Sequence, residues 1–181
     1  MRQLLLGISK VIDSINDWVG QYVSWLNLGL VLLVCGDVIV RRVLGNSSAG
    51  INELEWHIFA LVFLLGMGYT FKHDRHVRVD LFYHNFKPKD KARVDFIGTL
   101  IFLLPWSAIL LFYAWGYTAE SFRMGETSPD PGGLPARYLI KGAISIGMLL
   151  LFLQGISQVI KNAFTIWDNS STEVDQHQNA Q

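Results

Sequence analysis

Residues 58–83 of the chain read IFALVFLLGMGYTFKHDRHVRVDLFY, an apolar run followed at once by a dense charged patch. A span over about residues 53–71 reaches the roughly 20 residues that a helix needs to cross the hydrocarbon core of a bilayer. Three further stretches, near residues 19–40, 96–117 and 139–160, are similarly long and apolar. Because backbone amides in lipid need partners within their own segment, all four are expected to be helices. The sequence therefore predicts an all-α integral membrane protein with four transmembrane helices.

The overall composition supports the same class of protein. Of the 181 residues, 51% are hydrophobic and 17% are charged, whereas soluble domains carry about 25% charged residues. The formal net charge is +0, so the chain lacks the basic excess that is typical of nucleic-acid-binding proteins. Its one cysteine, Cys35, lies in an apolar run and cannot form an internal disulfide.

The two ends of the chain differ from the four-span membrane domain predicted over residues 19–167. In residues 1–18, apolar side chains recur at helical spacing and polar ones fall on the opposite side, which indicates an amphipathic helix at the membrane surface or against a partner. The tail over residues 168–181 is polar, lacks aromatic residues and is expected to be disordered.

The orientation in the membrane is predicted from the positions of Lys and Arg. Cytoplasmic loops are enriched in these residues, and the connection between the second and third spans carries seven of them. An N-in, C-in arrangement places ten of the 15 basic residues on the cytoplasmic side. We therefore expect both termini to lie in the cytoplasm and the first and third connections to lie outside.

Charged residues cluster at the expected outer end of the first two spans. Asp37 lies four residues before Arg41 on one helix face, a spacing that favours an ion pair. Arg42, Glu53 and Glu55 lie nearby, and Asn52 with Glu55 has the spacing of an N-terminal capping box. We expect these residues to organise the outer end rather than to take part in transport.

The third connection, residues 119–138, is rich in proline and glycine, which excludes a continuous helix and indicates either a linker or a defined turn on the outer face. Within the spans, two pairs of small residues are expected to allow close helix packing: Gly66 with Gly68, and Ala143 with Gly147.

The histidines of the charged patch raise the alternative of a metal site. His73 and His76 have HxxH spacing, with Asp74 and Asp80 near them, but zinc or iron needs three or four convergent ligands. We favour an interfacial or partner-contact role for this segment.

A redox anchor that binds haem, or a small membrane enzyme, remains a rival interpretation. No catalytic arrangement is evident, however, and His57 is the one histidine inside a predicted span.

Two segments together resemble the small membrane subunit of TRAP (tripartite ATP-independent periplasmic) transporters. In the first, Arg42 is followed by NELEWHIFALVFLLGMGYTFKHDRHVRVDLFY, with Glu53-Leu54 opening the span, Gly66 inside it and HVRVD at residues 76–80 after it. The second segment, GETSPDPGGLPARYLIKGAISIGMLLLFLQGIS at residues 125–157, is similar to the family's third connection and last span.

The resemblance implies a scaffold subunit of a sodium-coupled transporter in the bacterial inner membrane, without catalytic activity, cofactor or metal of its own. It implies two protein partners: a large elevator-type membrane subunit, which carries the solute and the sodium ions, and a periplasmic solute-binding protein. The solute stays open among 2-oxo acids, mannitol or chloroaromatic compounds, sialic acid and C4-dicarboxylates.

The spacing of the residues and the resemblance together suggest roles for three groups of residues. An interface with the partner or with lipid would include His76, Arg78, Asp80 and Gly66. The outer-end structural group would be Asp37, Arg41, Arg42, Glu53 and Glu55. The outer loop that meets the binding protein would be shaped by Glu126, Ser128, Pro135 and Arg137.

Overall fold

A computed structural model describes residues 2–45, 48–73 and 86–167 of the chain. Most of these residues are helical, and the rest form the connections between the helices. The helices are α1 (Arg2–Leu44), α2 (Ala49–Lys72), α3 (Pro88–Gly98), α4 (Leu104–Arg123) and α5 (Tyr138–Trp167), and a π-helical turn (Thr99–Leu103) joins α3 to α4.

Four helical segments in the described residues are long and apolar enough to cross a membrane: Arg2–Leu44, Ala49–Lys72, Pro88–Arg123 and Tyr138–Trp167. The prediction of an all-helical membrane protein with four spans is therefore confirmed. We call the end of the bundle that carries the α4–α5 connection the loop end, and the opposite end the α3 end.

Helix α1 joins the predicted surface helix and the first span without a break. Its 43 residues extend for about 65 Å, roughly twice the thickness of the hydrocarbon core. Its N-terminal half turns Ser9 and Asn16 toward α2 and α5, whereas Leu4 and Val11 are 67% and 60% exposed. The polar side of this amphipathic segment thus packs on the protein, and the apolar side faces outward.

Close packing of α2 and α5 depends on Gly147. A Cβ atom at this position would lie 2.5 Å from the carbonyl oxygen of Leu64, so the backbones approach closely there, as the small-residue pattern predicts. Gly68 of α2 is also tightly packed, with Asn16 of α1 against it. At Gly66, in contrast, a Cβ atom would point into open space.

The π-helical turn interrupts the third membrane segment just before Pro105. Proline has no backbone N–H and disturbs the regular hydrogen-bond pattern of a helix, and π turns commonly occur at such irregularities. The hydroxyl of Ser107 donates hydrogen bonds to the carbonyl oxygens of Leu103 (2.6 Å) and Leu104 (3.1 Å). Bonds of this kind, to carbonyls three and four residues back, are a common way for a serine to satisfy its hydroxyl within a helix.

Candidate functional site

A buried carboxylate organises the loop end of the bundle. Glu53, near the start of α2, is only 4% exposed. Its carboxylate accepts hydrogen bonds from the Ser128 hydroxyl (2.5 Å), the Leu134 backbone N–H (2.6 Å) and the Arg137 guanidinium (3.2 Å). Three donors from the α4–α5 connection thus converge on one anion. A buried charge requires such hydrogen bonds, because they offset the cost of removing it from water. We call this arrangement the Glu53 clamp.

The connection adopts the required shape because several residues occupy unusual backbone conformations. Gly132 has φ of 79° and Ala136 has φ of 62°, in the left-handed region that reverses chain direction tightly. At Gly133, a Cβ atom would lie 2.8 Å from Glu53 Oε2, so a side chain there would displace the carboxylate. The Ser128 N–H donates to the Leu134 carbonyl (3.2 Å) and closes the loop. The connection is a folded loop rather than a simple linker.

A second carboxylate, Glu126, lies in the loop itself and contacts α4 and α5. Glu126 accepts hydrogen bonds from Lys141 and from the Ser121 hydroxyl (2.6 Å), and the Lys141 ammonium lies 4.0 Å from the centre of the Tyr117 ring. The bond from Lys141, and then the bond from Ser121, lower the pKa of Glu126 below its ordinary value of 4.5 and outweigh its partial desolvation. Glu126 thereby joins the ends of both helices through the loop.

This lowered pKa predicts a pH dependence of stability. Because Glu126 holds its proton less tightly in the folded protein, its contribution to stability is complete above a pH of about 4.5 and is lost as the pH falls through the folded-state pKa. We expect Glu126→Gln to reduce the fall in thermal unfolding midpoint between buffers above and below pH 4.5. Unfolding of both proteins in the same detergent measures this, and an identical fall in both would contradict it.

A second cluster at the loop end joins α1 to α2. Asp37, whose side chain is 3% exposed, forms the ion pair with Arg41 that their spacing predicts. Arg41 also donates to Asn52 Oδ1 (3.0 Å). Arg42 and Glu55 line a shallow cavity of about 320 Å³ beside this pair. One buried oxygen of Glu55, Oε1, has no hydrogen-bond partner within the described part of the chain.

The expected capping box is wrong. Helix α2 begins at Ala49 with Ser48 at the N-cap, so Asn52 is the fourth residue of the helix and Glu55 the seventh, and neither is at a cap position. The sequence spacing misled because the helix starts about one turn earlier than the apolar run.

Some of the other predicted residues belong to these clusters, and others do not. The loop brings together four predicted positions: Glu53, Glu126, Ser128 and Arg137. Pro135 lies in the same loop and is exposed. His76, Arg78 and Asp80 lie outside the described residues, as does the predicted tail at residues 168–181.

Sequence reasoning missed a polar network at the α3 end. Asp13 of α1 accepts hydrogen bonds from Gln154 (2.9 Å) and Ser157 (2.8 Å) of α5 and forms an ion pair with Lys161. One turn later, Asp17 pairs with Lys72 at the end of α2. The available signal was the occurrence of two carboxylates four residues apart in a helix, with single lysines at the ends of two apolar helices.

No side-chain group in residues 2–45, 48–73 and 86–167 has three or more potential metal ligands together. The carboxylates of Glu53 and Asp13 are instead engaged by cations and hydrogen-bond donors, from the α4–α5 connection for Glu53 and from α5 for Asp13. These contacts hold the helices together at both ends of the bundle.

Comparison with known proteins identifies the family. A model of the tripartite ATP-independent periplasmic transporters, DctQ component, matches residues 30–165. The chain is also 26% identical over 161 residues to the ectoine TRAP transporter small permease protein TeaB of Halomonas elongata, a match that covers 87% of this chain and 81% of the relative. The resemblance that the two sequence segments indicated is confirmed. The chain belongs to the DctQ component family, the small membrane subunits of the TRAP transporters.

Proposed function

We propose that this chain is the fixed scaffold of a sodium-coupled importer of an organic acid or related solute. Its partners would be a large elevator-type membrane subunit and a periplasmic solute-binding protein. The observation that carries this proposal is that ion pairs fasten the helices at both ends: Glu53 with Arg137 at the loop end, and Asp13 with Lys161 at the α3 end. A bundle tied at both ends resists sliding of one helix past another, which suits a part that stays fixed while its partner moves.

The family assignment favours transport over the rival redox-anchor interpretation. Sodium ions would bind to the large subunit, because the carboxylates of Glu53 and Glu126 already have partners within this chain. The loop held by Glu53 exposes Asp130, Pro131 and Pro135, and we propose this exposed surface as the contact for the binding protein.

The proposed orientation places the loop end outside and the α3 end in the cytoplasm. The seven basic residues between the second and third spans support this arrangement. In a Cys35→Ser background, a cysteine at Asp130 should react with an impermeant maleimide in intact cells. A cysteine at Lys89 should react only after permeabilisation, and the reverse pattern would refute the orientation.

Uptake by proteoliposomes tests the transport role. We expect the chain reconstituted with the large subunit and the binding protein to take up one of a panel of labelled solutes: a 2-oxo acid, mannitol, sialic acid or a C4-dicarboxylate. An inward sodium gradient should drive this uptake, and omission of the chain should abolish it. Equal uptake without the chain, or with potassium in place of sodium, would exclude the proposed function.

A further inference from the structure

A long apolar groove runs along the bundle between α2, α4 and α5. Its volume is about 780 Å³, and its apolar walls include Met67 of α2, Leu110 of α4 and Leu151 of α5. The residues 94–110 that line one side run through the π-helical turn. Gly98, also on the wall, has no atom within 4 Å of the position its Cβ would occupy. The irregular turn and the missing side chain together leave this concavity.

The polarity of the groove changes along its length. Asp95, Thr99 and Gln158 lie at its α3 end, whereas the side chains toward Leu110 are mostly apolar. Asp95 and Leu110 are 15 positions apart, which corresponds to about 22 Å of helix, close to half of the roughly 40–45 Å thickness of a bilayer with its headgroup regions. The groove therefore has a polar end and an apolar part about as long as one leaflet is deep, which matches the dimensions of an amphiphilic molecule.

The charges next to the polar end favour an anionic headgroup. The chain just before Asp95 carries one acidic residue, Asp90, and four basic residues: Lys87, Lys89, Lys91 and Arg93. Arg93 pairs with Asp90 (3.0 Å), so the three lysines give this segment its positive charge. Lys91 lies one helical turn before Asp95, on the same face of α3. Basic residues at the membrane surface attract anionic lipids.

The charge beside the groove favours a lipid over an apolar partner helix. The walls of the groove are mostly apolar over about one leaflet's depth, which suits an acyl chain, and the basic residues at the start of α3 attract an anionic headgroup at its polar end. We propose that this groove binds one anionic phospholipid, with an acyl chain between α2, α4 and α5 and its phosphate near the lysine-rich start of α3.

Native mass spectrometry of the full chain, purified in mild detergent and supplied with phosphatidylglycerol, tests the proposal. We expect one retained phospholipid per chain. Gly98→Leu should place a side chain in the groove and reduce retention by about tenfold, equivalent to roughly 1.4 kcal/mol of binding. Gly116→Leu is the matched control: Gly116 also has open space around its Cβ position and lies on α4, but it does not line the groove. The control should retain the lipid.

A charge variant tests the headgroup without altering the groove wall. Lys87→Glu combined with Lys91→Glu should remove the preference for phosphatidylglycerol over phosphatidylcholine while one lipid is still retained. Equal retention by Gly98→Leu and Gly116→Leu, or no retained lipid in the unaltered chain, would overturn the proposal. It would also be overturned if Gly98→Leu left lipid retention unchanged and instead prevented co-purification of the large subunit, since the groove would then receive a protein partner.

Discussion

Glu53→Ala should free the α4–α5 loop from the bundle. The substitution removes the common acceptor of Ser128, Leu134 and Arg137, and it leaves the guanidinium without its buried counter-ion. Breaking such an ion pair by removing one partner is destabilising, because the Arg137 side chain is only 27% exposed and its charge stays partly desolvated. We therefore expect the largest local effect of any single carboxylate substitution at this end of the protein.

The reactivity of a cysteine at Asp130, at the exposed tip of the loop, measures this effect. In a Cys35→Ser background, Glu53→Ala should increase the maleimide reaction rate by about tenfold or more, the change expected when a held segment opens locally. Glu120→Ala is the matched control, because Glu120 pairs with the 78%-exposed Arg123 and such surface pairs contribute little. The clamp would be disproved as the loop's anchor if both variants reacted at the rate of the parent.

Gly147→Ala should destabilise the whole bundle. The added Cβ would lie 2.5 Å from the Leu64 carbonyl oxygen and 2.9 Å from its carbonyl carbon, so α2 and α5 must move apart. Overpacking of this kind costs about 1–3 kcal/mol, and we expect the upper part of that range because backbone atoms cannot rotate out of the way. Equilibrium unfolding in detergent or bicelles measures the loss.

Gly142→Ala on the same helix provides the control for this prediction. Its Cβ would meet only the Thr118 methyl group, at 3.7 Å, an ordinary van der Waals distance. Since alanine favours a helix over glycine by up to about 1 kcal/mol, this variant should be neutral or slightly more stable. Similar stabilities for the two variants would show that the α2–α5 approach at Gly147 is less tight than the structure indicates.

The fold was predictable from hydropathy, because a segment in lipid must form its backbone hydrogen bonds within itself and is therefore a helix. The Asp37–Arg41 pair was predictable too, since its partners are one helical turn apart. Neither principle specifies which side of an amphipathic helix faces protein. In lipid, apolar side chains gain little from burial against each other, and polar ones gather between helices. This explains why the polar side of α1 faces α5 through Asp13 and Lys161, although the spacing of Asp13 and Asp17 did not by itself identify their partners.

The Glu53 clamp was beyond sequence reasoning for a different reason. Its donors lie 75 to 84 positions further along the chain, and no local spacing links them to Glu53. The loop reaches Glu53 only because Gly132 and Ala136 adopt positive φ. A left-handed conformation at an alanine carries no sequence signal, so composition predicted an irregular connection without predicting its target.

The chain is a multi-pass protein of the bacterial inner membrane and the small subunit of a TRAP transporter. Its helices are tied at the loop end by Glu53 and Glu126 and at the α3 end by Asp13 and Asp17. These contacts oppose sliding of the helices past one another. The proposed scaffold role requires in addition that a separate large subunit binds to this bundle.

Affinity purification through a tag on this chain tests that requirement most directly. When the full chain is co-expressed with the large TRAP membrane subunit, the two should purify together in mild detergent as one stable complex, free of haem absorbance. A large subunit that fails to co-purify, with the tagged chain recovered folded and alone, would contradict the scaffold role. Recovery of the chain alone with bound haem would instead support a redox anchor.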